Sequence, residues 1–291
     1  MFGSLAPKLL IGFLIQVMLS LEAFSQSSHV SLTPTIIHTS SGVRYGILGE
    51  SGMDPAPTLF VFSGSLEDSL THPIYSQCCS ILRKKGFVCV SLDLPCHGQD
   101  VRTGDPEGLK GWSHRILQGE DIMVDLVSRS SAVLDDLISR GVSTPDCILA
   151  SGTSRGGFSA IHFAIGDDRV HSVAALSPVT DPRVLQEFSD LQENGLAQSL
   201  SLVEQVRKLA GKNLWLVIGN QDERVSTRKA VELALEVSLA ASRNRIRSGV
   251  ELHVEPAEGH RVPAGAYQRA AEWLLIQSCV ANVFSGKFRV N

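Results

Sequence analysis

Hydrophobic residues follow two alternating patterns along the chain, and each pattern predicts a different structural element. Short, nearly continuous apolar runs rich in β-branched and aromatic residues, such as TLFVFSG (58–64) and FVCVSLDL (87–94), are typical of strands buried on both faces. Between such runs, apolar residues recur every three or four positions, as on one face of a helix. In the longest of these stretches the apolar residues that share a face are Ile122, Leu126, Val133 and Leu137.

The two patterns alternate about five times without a clear linker. This alternation predicts an α/β fold, with one mostly parallel, doubly wound sheet covered by helices on both faces in a single domain. HVSLTPTIIHT (29–39) and VRYGILGE (43–50) read as two short strands at one edge, and the regular alternation in VELHVE (250–255) predicts another edge strand. Two long insertions stand out: a loop at 102–118 and a helical, partly amphipathic segment at 181–211.

The first 25 residues differ from the rest of the chain. Lys8 precedes an apolar run at 9–21, and the small residues of EAFSQSS then follow, as in a secretory signal peptide cut after Ser25. The run is shorter than the ~20 apolar residues that a bilayer-spanning helix needs. We therefore expect a secreted or periplasmic protein comprising residues 26–291, with no membrane contact after cleavage.

Composition and charge exclude one class of partner. With 43% hydrophobic and 19% charged residues, the chain has the composition of a globular protein. Its formal net charge of −4 and the lack of any Lys/Arg cluster give no basic surface for a nucleic-acid backbone. We therefore expect no nucleic-acid partner.

The six cysteines do not form the dense pattern of a disulfide-stapled mini-protein. Cys89 and Cys147 lie within strand-like runs, which predicts buried free thiols that pack as small hydrophobic side chains. Export permits a disulfide, but the sequence assigns no pair. No Cys/His spacing is typical of a zinc site, so we expect no metal.

Ser154 is the first candidate for chemistry. In ILASGTSRGGF it lies between Gly152 and Gly156, directly after a predicted strand and directly before a predicted helix. This strand, turn and helix arrangement is the one in which a serine nucleophile is presented on a sharp turn. The alternative is a serine that only caps the helix in a glycine-rich turn.

A serine hydroxyl needs a base, and the base needs an acid that fixes its tautomer. Asp222 follows the strand in LWLVIGNQDERV, and His260 follows the last predicted strand in ELHVEPAEGHRV. Glu223 and Asp181 are the alternative acids. His253 and His162 lie within a predicted strand and helix, which favours structural roles for both.

Three motifs in this order resemble the α/β-hydrolase superfamily, most closely its prolyl-oligopeptidase-like and dienelactone-hydrolase-like branches. GTSRGGF is similar to their nucleophile elbow, SPVTD (177–181) to the motif after their next strand, and GNQDERV to their acid loop. The resemblance implies Ser154 as the nucleophile, His260 as the general base and acid, and Asp222 as its orienting carboxylate. It also implies that the 181–211 insertion is a short helical lid.

The resemblance further implies an oxyanion hole formed by the N–H of Arg155 and a donor from the loop after LFVF. Here the chain departs from the family's usual His-Gly and has Ser-Gly-Ser, so the donor is Ser65 or, as the second choice, Gly64. DLPCHGQD resembles a loop with a mainly structural role in this superfamily, which favours a packing role for His97.

Three side chains are candidates for contact with a substrate. The Arg155 side chain either binds a substrate carboxylate or is merely solvated on the first helical turn. Trp112 and His114, in the 102–118 segment, either line the substrate pocket or anchor their loop.

These observations predict an exported serine hydrolase that cleaves small-molecule carboxylic esters through an acyl-enzyme and needs no cofactor. A serine peptidase of the prolyl-oligopeptidase type is the first alternative, although such enzymes usually carry a propeller and the chain shows no ~40 to 50 residue repeats. A catalytically inactive hydrolase fold that serves as a binding module is the second alternative.

Overall fold

One twisted sheet of eight strands organises the computed structural model, which describes residues 33–49 and 55–280. The strands are β1 (Thr35–His38), β2 (Arg44–Leu48), β3 (Ala56–Phe62), β4 (Val88–Ser91), β5 (Ser143–Thr153), β6 (Val170–Leu176), β7 (Asn213–Gln221) and β8 (Gly249–Glu258). They lie in the order β1-β2-β4-β3-β5-β6-β7-β8. β2 pairs antiparallel with β1 and β4, whereas the pairs from β4 to β8 are parallel. The predicted mostly parallel sheet is confirmed, as is the edge position of β8.

Helices cover both faces of this sheet. They are α1 (Leu66–Thr71), α2 (Gln77–Arg83), α3 (Gly108–Leu117), α4 (Ile122–Ser139), α5 (Arg155–Gly166), α6 (Gly195–Ser199), α7 (Val206–Leu209), α8 (Thr227–Arg243) and α9 (Ala266–Gln277). On β3, Phe60 and Phe62 face the core shared with α4, α5 and α8, while Leu59 and Val61 face the core shared with α1, α2 and α9. Because both faces of β3 are buried, its sequence is apolar at nearly every position.

The 102–118 insertion is more ordered than its sequence predicts, whereas the 181–211 insertion is helical as predicted, although only in short pieces. The 102–118 segment, expected to be a loop, contains the helix α3, because Trp112 and Ile116 lie one turn apart and are both buried in the core. The 181–211 segment consists of α6, α7 and three short 3₁₀ turns (Pro182–Val184, Gln186–Leu191 and Leu202–Gln205). Phe188 and Leu202 anchor it in the main core.

A disulfide joins Cys147 within β5 to Cys279 just after α9, with the two Cα atoms 5.5 Å apart. The prediction that Cys147 is a free thiol was therefore wrong. That prediction rested only on the position of Cys147 in an apolar run, and a cysteine in a disulfide can be as buried as a free one. Cys78, Cys79, Cys89 and Cys96 are buried free thiols. Burial raises the pKa of the Cys78 thiol to about 12, so this group is protonated at neutral pH.

The predicted signal peptide at 1–25 lies outside the described residues. Pro34 begins a compact unit that continues through the remainder of the described chain. Among the helices that the structure describes, none is both long and apolar enough to cross a membrane.

Candidate active site

Ser154 lies at the tip of a sharp turn between β5 and α5. Its backbone has φ 57° and ψ −119°, a conformation that side-chain-bearing residues rarely adopt and that costs on the order of 1–3 kcal/mol. Two hydrogen bonds hold the turn: the Ser154 N–H donates to Leu176 O at 2.9 Å, and the Val179 N–H donates to Ser154 O at 3.1 Å. The end of β6 therefore keeps this strained serine in place.

The two glycines that flank the serine are required by close backbone contacts. A Cβ atom on Gly152 would lie 2.1 Å from the carbonyl oxygen of Gly156, and a Cβ on Gly156 would lie 1.9 Å from that of Phe62. Both distances are far below any real Cβ contact, and both neighbours are backbone atoms that cannot move aside cheaply. The elbow brings α5 against β3 and β5 so closely that no side chain fits at either position.

We expect Gly156→Ala to destabilise the protein by more than about 4 kcal/mol, because the methyl group would push α5 away from Phe62. Urea unfolding of the purified protein, or the loss of soluble protein on expression, measures this effect. Gly195→Ala is the matched control: its Cβ would meet nothing within 4 Å, so the change should stay within about 1 kcal/mol. Equal stability of the two variants would contradict the close approach described here.

His260 connects the serine to a buried carboxylate. It lies in the loop after β8, with its Nδ1 2.8 Å from Asp222 Oδ2 and its Nε2 2.8 Å from Ser154 Oγ. An ionised Asp222 can only accept, so the network assigns the proton to Nδ1 and leaves Nε2 free to accept the serine proton. The Asp222 side chain has no solvent exposure, while that of His260 is 28% exposed.

Asp222 is held by the loop that follows β7. Its Oδ1 accepts the Val225 N–H at 3.2 Å, which leaves Oδ2 for His260. The two alternative acids lie elsewhere: Glu223 is exposed, and the carboxylate of Asp181 accepts two hydrogen bonds from the Arg183 side chain, at 3.0 and 2.9 Å. The structure therefore brings Asp222, and not these two, to His260.

The two predicted oxyanion donors each lie at the start of a helix. Arg155 is the first residue of α5, where backbone N–H groups have no partner within the helix. Ser65 caps α1, its Oγ accepting the Asp68 N–H at 3.1 Å, and the Asp93 carboxylate accepts the neighbouring Leu66 N–H at 2.8 Å. Asp93 thus fixes the loop that carries Ser65.

A cleft of about 500 Å³ opens beside Ser154 and His260. Residues that sequence reasoning missed form much of its wall: Ser63, Ile74, Tyr75 and Tyr267. The Tyr267 hydroxyl lies 3.0 Å from Thr153 Oγ1, next to the nucleophile. No local sequence signal marks these residues, because the packing of α2 and α9 on the sheet is what brings them to the site.

The structure places Trp112 and His114 away from this cleft. Trp112 is fully buried, and its Nε1 donates to Pro95 O at 2.6 Å. His114 lies on α3 with its Nε2 2.9 Å from the Gln118 side chain. Neither residue is among those of the described chain that line the cleft. The indole of Trp112 packs into the core, and the imidazole of His114 lies against Gln118 on the surface of α3.

Two other histidines have the structural surroundings that the sequence favoured. His97 packs edge-on against Trp112, with its Nδ1 2.8 Å from Pro95 O, and His162 places its Nε2 3.0 Å from Leu200 O. Burial lowers the pKa of each imidazole to about 4, so both are neutral at physiological pH. In the part of the chain that the structure describes, no group of three or more His, Cys, Asp or Glu residues could hold a metal ion.

A family model described as "Putative esterase" matches residues 130–273, which include the serine, the aspartate and the histidine. No curated protein sequence matches the chain significantly.

Solved structures with a similar fold include both esterases and peptidases. Acetyl xylan esterase 1 from Thermoanaerobacterium sp. JW/SL YS485 has a TM-score of 0.59 at 18% identity, over 86% of this chain and 85% of that one. Porphyromonas gingivalis dipeptidyl peptidase 4 has a TM-score of 0.57 at 18% identity, over 84% of this chain and 35% of that one. A puromycin-hydrolyzing peptidase from Mycobacterium tuberculosis has a TM-score of 0.62 at 13% identity, over 87% of this chain and 41% of that one. The chain thus spans well under half the length of these two peptidases, and at such identities the likeness concerns the fold.

Proposed function

The chain belongs to the α/β-hydrolase superfamily, and from that premise we propose that it is a serine hydrolase that cleaves carboxylic esters through an acyl-enzyme. One observation carries the proposal: His260 lies 2.8 Å from both Ser154 Oγ and Asp222 Oδ2. A base that contacts the nucleophile at one nitrogen and a buried acid at the other is the arrangement that activates a serine hydroxyl.

In the first half of the reaction, Ser154 Oγ attacks the ester carbonyl carbon while His260 Nε2 takes the hydroxyl proton. The Asp222 carboxylate accepts the Nδ1–H and stabilises the imidazolium that forms. The C–O bond to the alcohol then breaks, and His260 returns the proton to the leaving alkoxide. The product of this half is an ester between the acyl group and Ser154.

In the second half, water attacks the acyl-enzyme with His260 again as the base, and the carboxylic acid leaves. Both halves pass through a tetrahedral oxyanion. We assign its stabilisation to the backbone N–H groups of Arg155 and Ser65, at the start of α5 and α1. The support for Ser65 is its position two residues after Ser63, which lines the cleft, on a loop whose Leu66 N–H is held by Asp93.

Two observations favour an ester substrate over a peptide. The matching family model describes esterases, and the acetyl xylan esterase, as its name states, is an esterase of which the chain covers 85%. The peptidases share the fold as well, so a substrate panel must contain both ester and peptide reporters.

A fluorophosphonate probe tests the proposal without a choice of substrate. We expect stoichiometric labelling on Ser154, located by peptide mass spectrometry, and loss of the label when the protein is denatured first. Folded protein that resists the probe and hydrolyses no ester in the panel would contradict the proposal and favour the binding-module alternative. Faster release of peptide reporters than of short esters would instead favour the peptidase.

Export belongs to the proposal as well, with residues 1–25 as the signal peptide and 26–291 as the mature protein. The support is the apolar run at 9–21 together with the Cys147–Cys279 bridge, because disulfides persist mainly in oxidising compartments. The intact mass of the labelled protein from a secreting host tests this: a chain that begins at Gln26 is expected, and one that begins at Met1 would contradict it.

A lid role for 181–211 stays part of the proposal. Its support is a contact between the insertion and the acid loop, in which Arg224 Nη2 lies 2.6 and 2.7 Å from the two carboxylate oxygens of Glu187. The insertion contributes no residue to the wall of the 500 Å³ cleft within the described chain. It would therefore act on the acid-loop side of the site.

A further inference from the structure

Within the described residues, the Arg155 guanidinium lacks the carboxylate partner that Arg115 and Arg183 each have. Its Nε donates to Ser63 O at 3.0 Å, but in the residues that the structure describes no carboxylate oxygen lies within 4 Å of it. By contrast, Arg115 pairs with Asp100 at 2.8 Å, and Arg183 pairs with Asp181 at 2.9 Å. Arg155 is thus a cation that is partly removed from water with no counter-charge in contact.

An unpaired, partly desolvated charge is costly, so its retention calls for an explanation. Burial lowers the pKa of Arg155 below its usual value, which is a measure of that cost, although an arginine stays charged at neutral pH. The single bond to Ser63 O uses one of five N–H donors. The Nη donors are left for another acceptor.

Arg155 lies in the wall of the same cleft as Ser154 and His260. Arg155 follows the nucleophile and lines the cleft, and its Nη2 lies over Gly64, where a Cβ would be 3.2 Å away. Arg261, which follows His260, also lines the cleft and makes no ion pair within the described residues. No Asp or Glu of the described chain contributes to the cleft wall. The wall therefore combines two positive charges with no negative one.

We propose that the cleft takes esters that carry a carboxylate close to the scissile bond, and that the Arg155 guanidinium binds this carboxylate through its Nη atoms. A planar guanidinium matches a carboxylate with two parallel hydrogen bonds, which gives both affinity and orientation. The inference rests on the proposed ester hydrolysis and adds the class of substrate to it. In this role Arg155 selects the substrate with its side chain, while its backbone N–H serves the oxyanion.

The test compares two esters that differ mainly in charge, 4-acetoxybenzoate and its methyl ester. We measure kcat/KM for both with the parent protein, Arg155→Gln and Arg243→Gln. The ratio of anionic to neutral ester should fall at least tenfold in Arg155→Gln, since a hydrogen bond between charged groups is worth roughly 1.5–3 kcal/mol and each 1.4 kcal/mol is tenfold. Because each protein is tested with the same pair, differences in intrinsic reactivity cancel.

Arg243→Gln is the matched control, because Arg243 is exposed at the end of α8 that lies opposite the catalytic edge of the sheet. It removes the same charge from the protein and should leave the ratio unchanged. If Arg155 only held the Ser63 carbonyl, its loss would lower kcat/KM for both esters together. An unchanged ratio in Arg155→Gln, or equal falls in both arginine variants, would overturn the inference.

A binding measurement separates this inference from the proposed reaction. Calorimetry with 4-hydroxybenzoate on the Ser154→Ala protein should show binding that weakens at least tenfold when Arg155→Gln is added. If the fluorophosphonate probe labels Ser154 but binding is undetectable or independent of Arg155, the carboxylate site is wrong and the hydrolase stands. If no ester is cleaved but binding depends on Arg155, the reaction is wrong and the anion site stands.

Discussion

We expect Ser154→Ala to reduce kcat for ester hydrolysis on the order of 10⁵-fold while leaving the fold intact. The reason is that the variant removes only Oγ, the atom 2.8 Å from His260 Nε2, and without it no acyl-enzyme can form. Initial rates with a short nitrophenyl ester measure the loss, and circular dichroism with thermal melting verifies the fold. The residual rate of hydrolysis should be the rate that substrate binding and the oxyanion donors support without the nucleophile.

Ser189→Ala serves as the control for this variant, because Ser189 is exposed on the 181–211 insertion. It should retain full kcat, and it should still take up the fluorophosphonate label that Ser154→Ala loses. A folded Ser154→Ala protein that kept a tenth of the parent activity would mean that another nucleophile does the chemistry. The active-site geometry would then be irrelevant to the reaction.

The sheet could be predicted from the sequence because strands that are buried on both faces are apolar at nearly every position. Phe60 and Phe62 face one core while Leu59 and Val61 face the other, so a doubly covered strand reads as an unbroken apolar run. The elbow was equally visible. Only glycine fits at 152 and 156, and a residue type forced by backbone contact is the kind of constraint that a motif records.

Features that depend on contacts between distant parts of the chain could not be predicted from such local patterns. The partner of Cys147 lies 132 positions away in the chain, and burial looks the same for a bridged and a free cysteine. α3 was not predicted because Gly108 and Gly111 interrupt the helical spacing of its apolar residues. Gly111 is needed there, since the helix packs closely on Cys96 at this position. Trp112, an aromatic in an expected loop, was for this reason a candidate for the cleft wall or for an anchor of that loop, whereas it lies in the core.

The cleft wall shows the same limit. Tyr75 and Tyr267 come from segments whose sequences indicate only amphipathic helices or their flanks. They are far apart in the sequence, and the packing of α2 and α9 on the same face of the sheet brings them together. The unpaired state of Arg155 is likewise a property of three-dimensional contacts. Its sequence position left a substrate contact and a solvated side chain as alternatives. In the described residues no carboxylate oxygen lies within ion-pair distance of the guanidinium, although Asp68 and Glu187 act on it at longer range, and this favours the first alternative.

Asp222→Asn should lower kcat by roughly 10⁴-fold with little change in KM. Asp222 Oδ2 accepts the His260 Nδ1–H, which leaves Nε2 as the acceptor for the serine proton. An asparagine can turn its amide so that Nδ2–H donates to Nδ1, and the ring then carries its proton on Nε2. That tautomer directs an N–H at Ser154 Oγ and cannot act as the base, although every heavy atom keeps its place.

Glu223→Gln is the matched control, since it makes the same carboxylate-to-amide change at the adjacent, exposed position. It should leave kcat unchanged, and ¹⁵N chemical shifts of the His260 ring should show the tautomer switch in Asp222→Asn alone. A small kcat loss in Asp222→Asn with the ring protonated on Nδ1 would mean that another group fixes the tautomer. Within the described residues, His260 Nδ1 has no hydrogen-bond acceptor besides Asp222 Oδ2, so no other group is in place to fix the tautomer when this oxygen is replaced.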